Sequence, residues 1–283
     1  MARARRRRLD ALLRCGGLAA VTLSAGIVVL LVGAVVVQGV PVIGRAFLTG
    51  ADSVNADRVG IWGALKGSLL TMAVTLGLAL PLGVAAALWL EEFAPRRRWT
   101  ATVELLIANL AAVPPILFGL LGLAVFIGAW GLPRSAPIVA GLTLALMTVP
   151  VVVIAGRGAL GAVPASVRDA ARGIGASPVQ VVFHHVLPAA MPGIATGALL
   201  GTARALGEVA PLLLIGMRAF IAAPPRSAGD PATVLPMQIF LWSDRLGHGF
   251  TGSTAGASLV LLVMLLALGG GAAWLRRRWE VRR

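Results

Sequence analysis

The chain has 283 residues, 58% of them hydrophobic and only 13% charged, with a mean hydropathy of +0.90. A soluble globular domain carries about 25% charged residues, so the composition excludes an ordinary soluble domain and points to an integral membrane protein. The net charge is +14, but the arginines cluster beside apolar runs, which is not how a nucleic-acid-binding surface distributes them. Cys15 is the single cysteine, which excludes an intramolecular disulfide and a Cys-based zinc cluster, and three histidines are poor material for a metal site.

Six segments reach the roughly 17–25 apolar residues needed to cross a bilayer. The first, 16–40, follows the Arg-rich start "MARARRRRLDALLRC". A signal-peptide core is about 7–15 residues long, so this longer run reads as an uncleaved first transmembrane helix. The second is 67–90. The third, 104–130, contains "AVPPILFGLLG", where Pro114 and Pro115 remove two backbone donors and should kink or break the helix. Such a break is tolerated only where protein or a cavity surrounds the backbone. The fourth, fifth and sixth are 136–157, 191–216 and 256–275. The expected fold class is therefore all-α integral membrane, with six transmembrane helices.

An even number of spans places both termini on one side, and the Lys/Arg distribution tests which. The N-terminal tail, the Glu91–Arg98 turn, the Arg157–Arg172 loop and the "RRRWEVRR" tail hold 6, 3, 3 and 5 Lys/Arg, 17 in all, against 7 on the other side. The bias places both termini in the cytoplasm, with the arginine runs as topology anchors.

The inner loop between the fourth and fifth segments reads "AVPASVRDAARGIGASPVQVVFHHVLPAAMPG". Ser166 can cap a short helix from Val167 to Gly173, and Gly175 can end it in a left-handed turn. Ser177-Pro178 gives a second start, with Ser as N-cap and Pro at the first helical position. Pro188 is expected to stop that second helix. A short, partly apolar, exposed helix is how a docking element is built; the same pattern also fits a plain interfacial helix.

The spacing Asp169-Ala170-Ala171, then Gly175, then Leu187-Pro188 resembles the EAA loop of bacterial ABC importer permeases. That resemblance implies a type I importer permease core, with a coupling helix in this loop that sits in a cleft of the cytoplasmic ATPase. Asp169 stands where the pattern has Glu, and His185 where it usually has an aliphatic residue. "RALGEVAPLLLIG" resembles the "R-x-x-GE-T-APLL" stretch of PstA-type subunits of phosphate-specific importers, with Val209 in place of the common Thr. "PPILFGL", "LPMQIFLW" and "LPLGVAAALWLEEFAP" resemble further segments of the same family. After Val149-Pro150, the family often has Arg four residues past the proline; here that position is Ile154, and Arg157 follows one turn deeper.

Arg204 and Glu208 are the charges inside the fifth apolar segment. At helical spacing Gly193, Gly197, Gly201 and Ala205 form a stripe of small residues that lets helices approach closely. Arg204 and Glu208 are expected on that packed face, as i,i+4 neighbours able to neutralise one another. They could lock the fifth helix to its neighbours. Alternatively Arg204 could meet a translocating oxyanion, with Glu208 holding or gating it. A guanidinium fork matches two oxygens of a phosphate, intramembrane charges mark substrate pathways, and the resemblance favours this second reading.

No G-x-x-x-x-G-K-[ST] loop is present; Lys66 sits in "ALKGS", which is not one. The chain is thus expected to be non-catalytic and to bind no cofactor, with ATP used by a separate ATPase. The resemblance implies a PstC-like second permease, two PstB-like ATPase subunits and a periplasmic PstS-like phosphate-binding protein, all at the bacterial inner membrane. The expected organisation is a basic tail over 1–15, an anchor helix over 16–40, a permease domain over 65–275 with its coupling loop at 158–190, and a basic tail over 276–283. Alternatives are a permease for sulfate, molybdate or tungstate, and an ion-coupled secondary transporter with Arg204 and Glu208 as a proton relay.

Overall fold

The computed structural model describes residues 2–95, 97–217, 221, 223–245 and 249–280, and the side chains of those from 12 to 271 other than 57. Among the described residues all regular structure is helical. Helix α1 (Ala2–Gly39) runs along the last helix, α12 (Thr251–Glu280). The short α2 (Arg45–Thr49) and the loop to Gly60 fold back onto the start of α3 (Trp62–Leu88), which ends in a π-helical turn, Trp89–Phe93.

The centre is the pair α3 and α6 (Pro137–Gly161), with α9 (Leu187–Leu206) on α6 and α12 on α9. Small residues explain the closeness, since packing rather than water expulsion drives association in lipid. A methyl group at Gly83 would come within 2.7 Å of Val152, at Gly156 within 2.8 Å of Ala87, and at Gly193 within 2.6 Å of Ala159. The buried threonines Thr75, Thr143 and Thr148 return their hydroxyls to carbonyls one turn back, so the apolar core holds them without unmet donors.

Among the described residues five helices are long and apolar enough to cross a membrane singly. The third expected span is broken as its proline pair predicts. Helix α4 (Arg98–Ala111) and α5 (Pro115–Leu121, continuing as a π-helix to Ala129) are bent by 102°. The arginine side chains at 3–8 and 276–278, the residues 281–283, and Arg218 lie outside the described residues.

The fifth span differs from expectation at both ends. The loop helix started at Ser177-Pro178 does not stop at Pro188, and the span does not wait until 191 to begin. The short α8 (Pro178–Gln180) passes through a π-helical stretch, Val181–Val186, straight into α9, so one span runs from Pro178 to Leu206. Widening the helix to i→i+5 bonds just before Pro188 accommodates its missing N–H. At the other end, α9 stops at Leu206 rather than near 216, and a separate short α10 (Ala210–Leu214) follows.

One end of the molecule gathers the end of α3, the start of α4, the end of α6 and the loop helix α7 (Ala165–Gly173). The opposite end gathers α2, the chain around Ser135 and α11 (Leu235–Ser243). These are the groupings that the alternation of loops along the sequence requires.

Candidate functional site

The break after α9 is where Arg204 and Glu208 lie. Gly207 and Glu208 close the helix by donating to the carbonyls of Ala203 and Ala205, and Pro211 at the start of α10 lacks the N–H to continue the ladder. Glu208 is therefore not on a helix, and it is not one turn above Arg204. Among the described residues no ion pair joins them. This corrects the expectation of an i,i+4 pair on the packed face.

The packed face itself is as expected. Gly201 meets Thr148 of α6, and Ala205 is buried. Arg204 points elsewhere: Thr196, Leu200 and Arg204, spaced by four, form an exposed strip along α9. Ile154 of α6 is also exposed, and its neighbour Ala155 packs at the level of Gly197. Ile154 thus lies about 10 Å down the helix from Arg204, at about 1.5 Å per residue. Arg204 is the one charge on this exposed strip, beside Leu200 and a Thr196 whose hydroxyl is returned to the Pro192 carbonyl.

The break after α4 lies next to the break after α9. Gly119 of α5 rests on α10, where a methyl group would meet the Pro211 Cα at 2.6 Å and its carbonyl oxygen at 2.8 Å. Pro114 and Pro115 set the turn that brings α5 there, with Pro114 as N-cap. Two interrupted spans packed against each other, with a charged residue beside them, are how membrane proteins place polar groups at depth.

At the other end, α7 runs from Ala165 to Gly173, starting after Pro164, with Ser166 inside it rather than capping it. Proline can occupy this boundary because the first helical turn lacks an acceptor for its missing N–H anyway. Gly175 adopts φ +88°, the left-handed turn expected of it. Ser177 caps α8 through a reciprocal pair of bonds with Gln180, as expected. Ala171 is buried, while Asp169, Ala170 and the following Ile174 face outward, Ile174 being 82% exposed. Asp169 has Arg172 at 3.6 Å, both largely exposed. His185 is exposed too.

Sequence reasoning missed an ionic network behind this helix. Arg168 of α7 lies against Glu92 at the end of α3, and Glu92 holds its guanidinium more firmly charged than usual. Arg157 bridges Glu91 at 3.2 Å and Glu104 of α4 at 3.0 Å, so it is more than a topology anchor. The signal was two adjacent glutamates closing an apolar span in a chain with only 11 acidic residues.

A helical membrane chain with two interrupted spans and an exposed loop helix at one end has the build of a membrane subunit of a transport system. The chain belongs to the family described as "Binding-protein-dependent transport system inner membrane component", whose model matches residues 79–281. It is 34% identical over 220 residues, 77% of this chain and 70% of the relative, to "Phosphate transport system permease protein PstA 1" of Mycobacterium tuberculosis. It is 28% identical, over 81% of this chain and 80% of the relative, to "Phosphate transport system permease protein PstA" of Haemophilus influenzae. The fold is that of a solved bacterial ABC transporter involved in the import of the acidic polysaccharide alginate, at a TM-score of 0.61 and 18% identity, covering 96% of this chain and 99% of that one.

Proposed function

We propose that this chain is a non-catalytic permease subunit of an ATP-driven importer that carries inorganic phosphate from periplasm to cytoplasm. The observation that carries the reading is Arg204, the one charge on an exposed strip of a membrane helix, at the end of a span that breaks just after it. In lipid an ionised side chain costs at least about 2.5–3.5 kcal/mol, so this strip faces protein or a water-filled path. A second, PstC-like permease would cover it. Arg204 then stands in the pathway between the two chains, where its forked donors can take two oxygens of the anion. Glu208, released from the helix, is free to approach or leave it. The relatives named for phosphate transport favour phosphate over sulfate, molybdate or tungstate.

The loop end faces the cytoplasm, as the distribution of arginines suggests, and both termini lie there. Asp169, Ala170, Ala171 and Gly175 form the coupling helix and its turn. Its exposed side would sit in a cleft of a PstB-like ATPase dimer, with Ile174 as an apolar contact. ATP is used there and not by this chain. A PstS-like protein would deliver the anion at the opposite end. The permease unit is taken as residues 65–275, with 16–40 as an added anchor and 1–15 and 276–283 as cytoplasmic tails.

The test is uptake of labelled phosphate by cells lacking this chain and by cells with it restored. One arm is depleted of ATP, one has its proton gradient collapsed, and one receives excess sulfate or molybdate. Uptake should need this chain and ATP and ignore the competitors. Uptake that follows the gradient would instead make Arg204 and Glu208 a proton relay; competition by another oxyanion would change the substrate.

A further inference from the structure

The loop helix α7 is not simply laid against the end of the bundle; one side chain ties it to both central helices at once. Arg168 donates through Nη2 and Nε to the two carboxylate oxygens of Glu92, at 2.5 and 3.3 Å. It donates through Nη1 to the carbonyl of Val163 at 2.7 Å, and through Nη2 to the carbonyl of Leu160 at 3.0 Å. Leu160 belongs to the last turn of α6 and Val163 follows it, so both carbonyls lie where a helix end leaves oxygens open to side-chain donors; the Leu160 oxygen also accepts from the Val163 N–H. Glu92 closes α3. The side chains of the pair are 17% and 9% exposed, so the pair is largely shielded from solvent, and four of the five guanidinium N–H directions are spent on the end of α3 and on the end of α6 with the turn that follows it.

The neighbouring contacts have no such rigidity. The inner face of α7 rests on the aliphatic cluster of Val153, Leu160, Val181 and Val186, and such contacts are non-directional. Asp169 and Arg172 are exposed, and their pair at 3.6 Å stays within α7. Arg157, with Glu91 and Glu104, ties α3, α4 and α6 but does not reach α7. Arg168 is thus the directional link between the helix that would meet the ATPase and the two helices that form the centre of the bundle.

We propose that Arg168 and Glu92 are positioning residues for energy coupling: they make α7 move as one rigid body with the ends of α3 and α6, so that displacement of α7 is delivered to the pathway. This rests on the importer reading above. Without the strut α7 stays folded and docked through its apolar face, but it tilts on the cluster instead of carrying the helices with it. Hydrolysis then continues without transport. Lysine cannot replace Arg168 fully, because a point charge with three donors does not span a carboxylate and two carbonyls in one plane.

The experiment uses the complete transporter, with its second permease, ATPase and binding protein, in proteoliposomes. It measures ATP hydrolysed per phosphate imported for wild type, Arg168→Gln, Arg168→Lys and Glu92→Gln. Spin labels at Ala85→Cys on α3 and Ser166→Cys on α7, in a Cys15→Ser background, report the distance between the helices with and without ATP. Arg168→Gln and Glu92→Gln should raise the ratio at least tenfold with ATPase still co-purifying, and Arg168→Lys should fall between them and wild type. The wild-type distance should stay narrow and unchanged by ATP, and should broaden in both neutral variants. Glu92→Gln, which is isosteric and leaves both carbonyl bonds, decides the matter if Arg168→Gln does not assemble. An unchanged ratio in Glu92→Gln, or a wild-type distance that shifts by several ångströms with ATP, overturns the strut. A wild-type complex that hydrolyses ATP, keeps the fixed distance and imports no phosphate overturns the phosphate reading alone.

Discussion

Gly119→Ala tests the contact between the two interrupted spans. The added methyl would lie 2.6 Å from the Pro211 Cα, 2.8 Å from its carbonyl oxygen and 3.1 Å from a Leu214 methyl. Leu214 can rotate away. Pro211 cannot, because its ring fixes φ and the atoms struck are backbone. Carbon contacts are comfortable at about 3.5–4.0 Å, so α5 and α10 must part by close to an ångström. Overpacking of this kind costs about 1–3 kcal/mol. Against it stands the gain of about 1 kcal/mol from placing Ala instead of Gly inside a helix, which leaves a net loss of about 0–2 kcal/mol. Gly77→Ala is the matched control: it is also inside a helix, and a methyl there meets nothing within 4 Å, so only the gain remains. Thermal unfolding of the purified protein in detergent should place Gly119→Ala below wild type and Gly77→Ala at or above it. Equal melting temperatures for the two variants would refute the claim that α5 and α10 are in rigid backbone contact. Because the contact adjoins the Arg204 break, phosphate uptake should also fall in Gly119→Ala and not in Gly77→Ala.

Arg204→Gln should reduce phosphate uptake at least tenfold while membrane insertion and ATPase binding stay normal; wild-type uptake rates would remove Arg204 from the anion path. Asp169→Lys reverses an exposed charge on the outer side of α7 and should weaken co-purification of the ATPase, with melting of the permease itself unchanged. At the opposite end, burial pushes the Asp52 carboxyl above the usual aspartate range, only partly offset by the neighbouring Gln238 side chain, the Ser53 N–H, the Arg245 charge and Trp242. The folded protein therefore binds this proton more tightly than the unfolded chain. Its contribution is largest at low pH and is lost as pH rises through the raised native value. The melting temperature of Asp52→Asn, relative to wild type, should rise as pH goes from 4 to 7; a flat difference would show that Asp52 is not the group responsible.

Much of the candidate site was legible because it depends on local chemistry. The proline pair at 114–115 announced the bend, the glycine at 175 the left-handed turn, and Ser177-Pro178 the start of α8. Other features were local in appearance only. Pro188 signals a helix end, yet a π-helical stretch ahead of it lets the span continue, a compensation spread over several residues. Arg204 and Glu208 match a helical i,i+4 pair, yet Pro211 and the packing of α10 on α5 end the helix between them.

The sequence by itself determined that this is a membrane protein of six apolar segments with its basic residues biased to one side, because apolar length and charge placement are one-dimensional quantities that the bilayer reads directly. Only the tertiary structure decided which charges meet. Glu92 and Arg168 lie 76 residues apart, and Glu91 and Arg157 lie 66 apart. They come together because close packing of α3 on α6 brings the ends of both helices to one place, and that depends on where small residues fall on two faces at once. Whether Arg204 was buried or open was settled the same way: the glycine stripe took the inner face of α9, and the arginine was left on the strip that this chain does not cover.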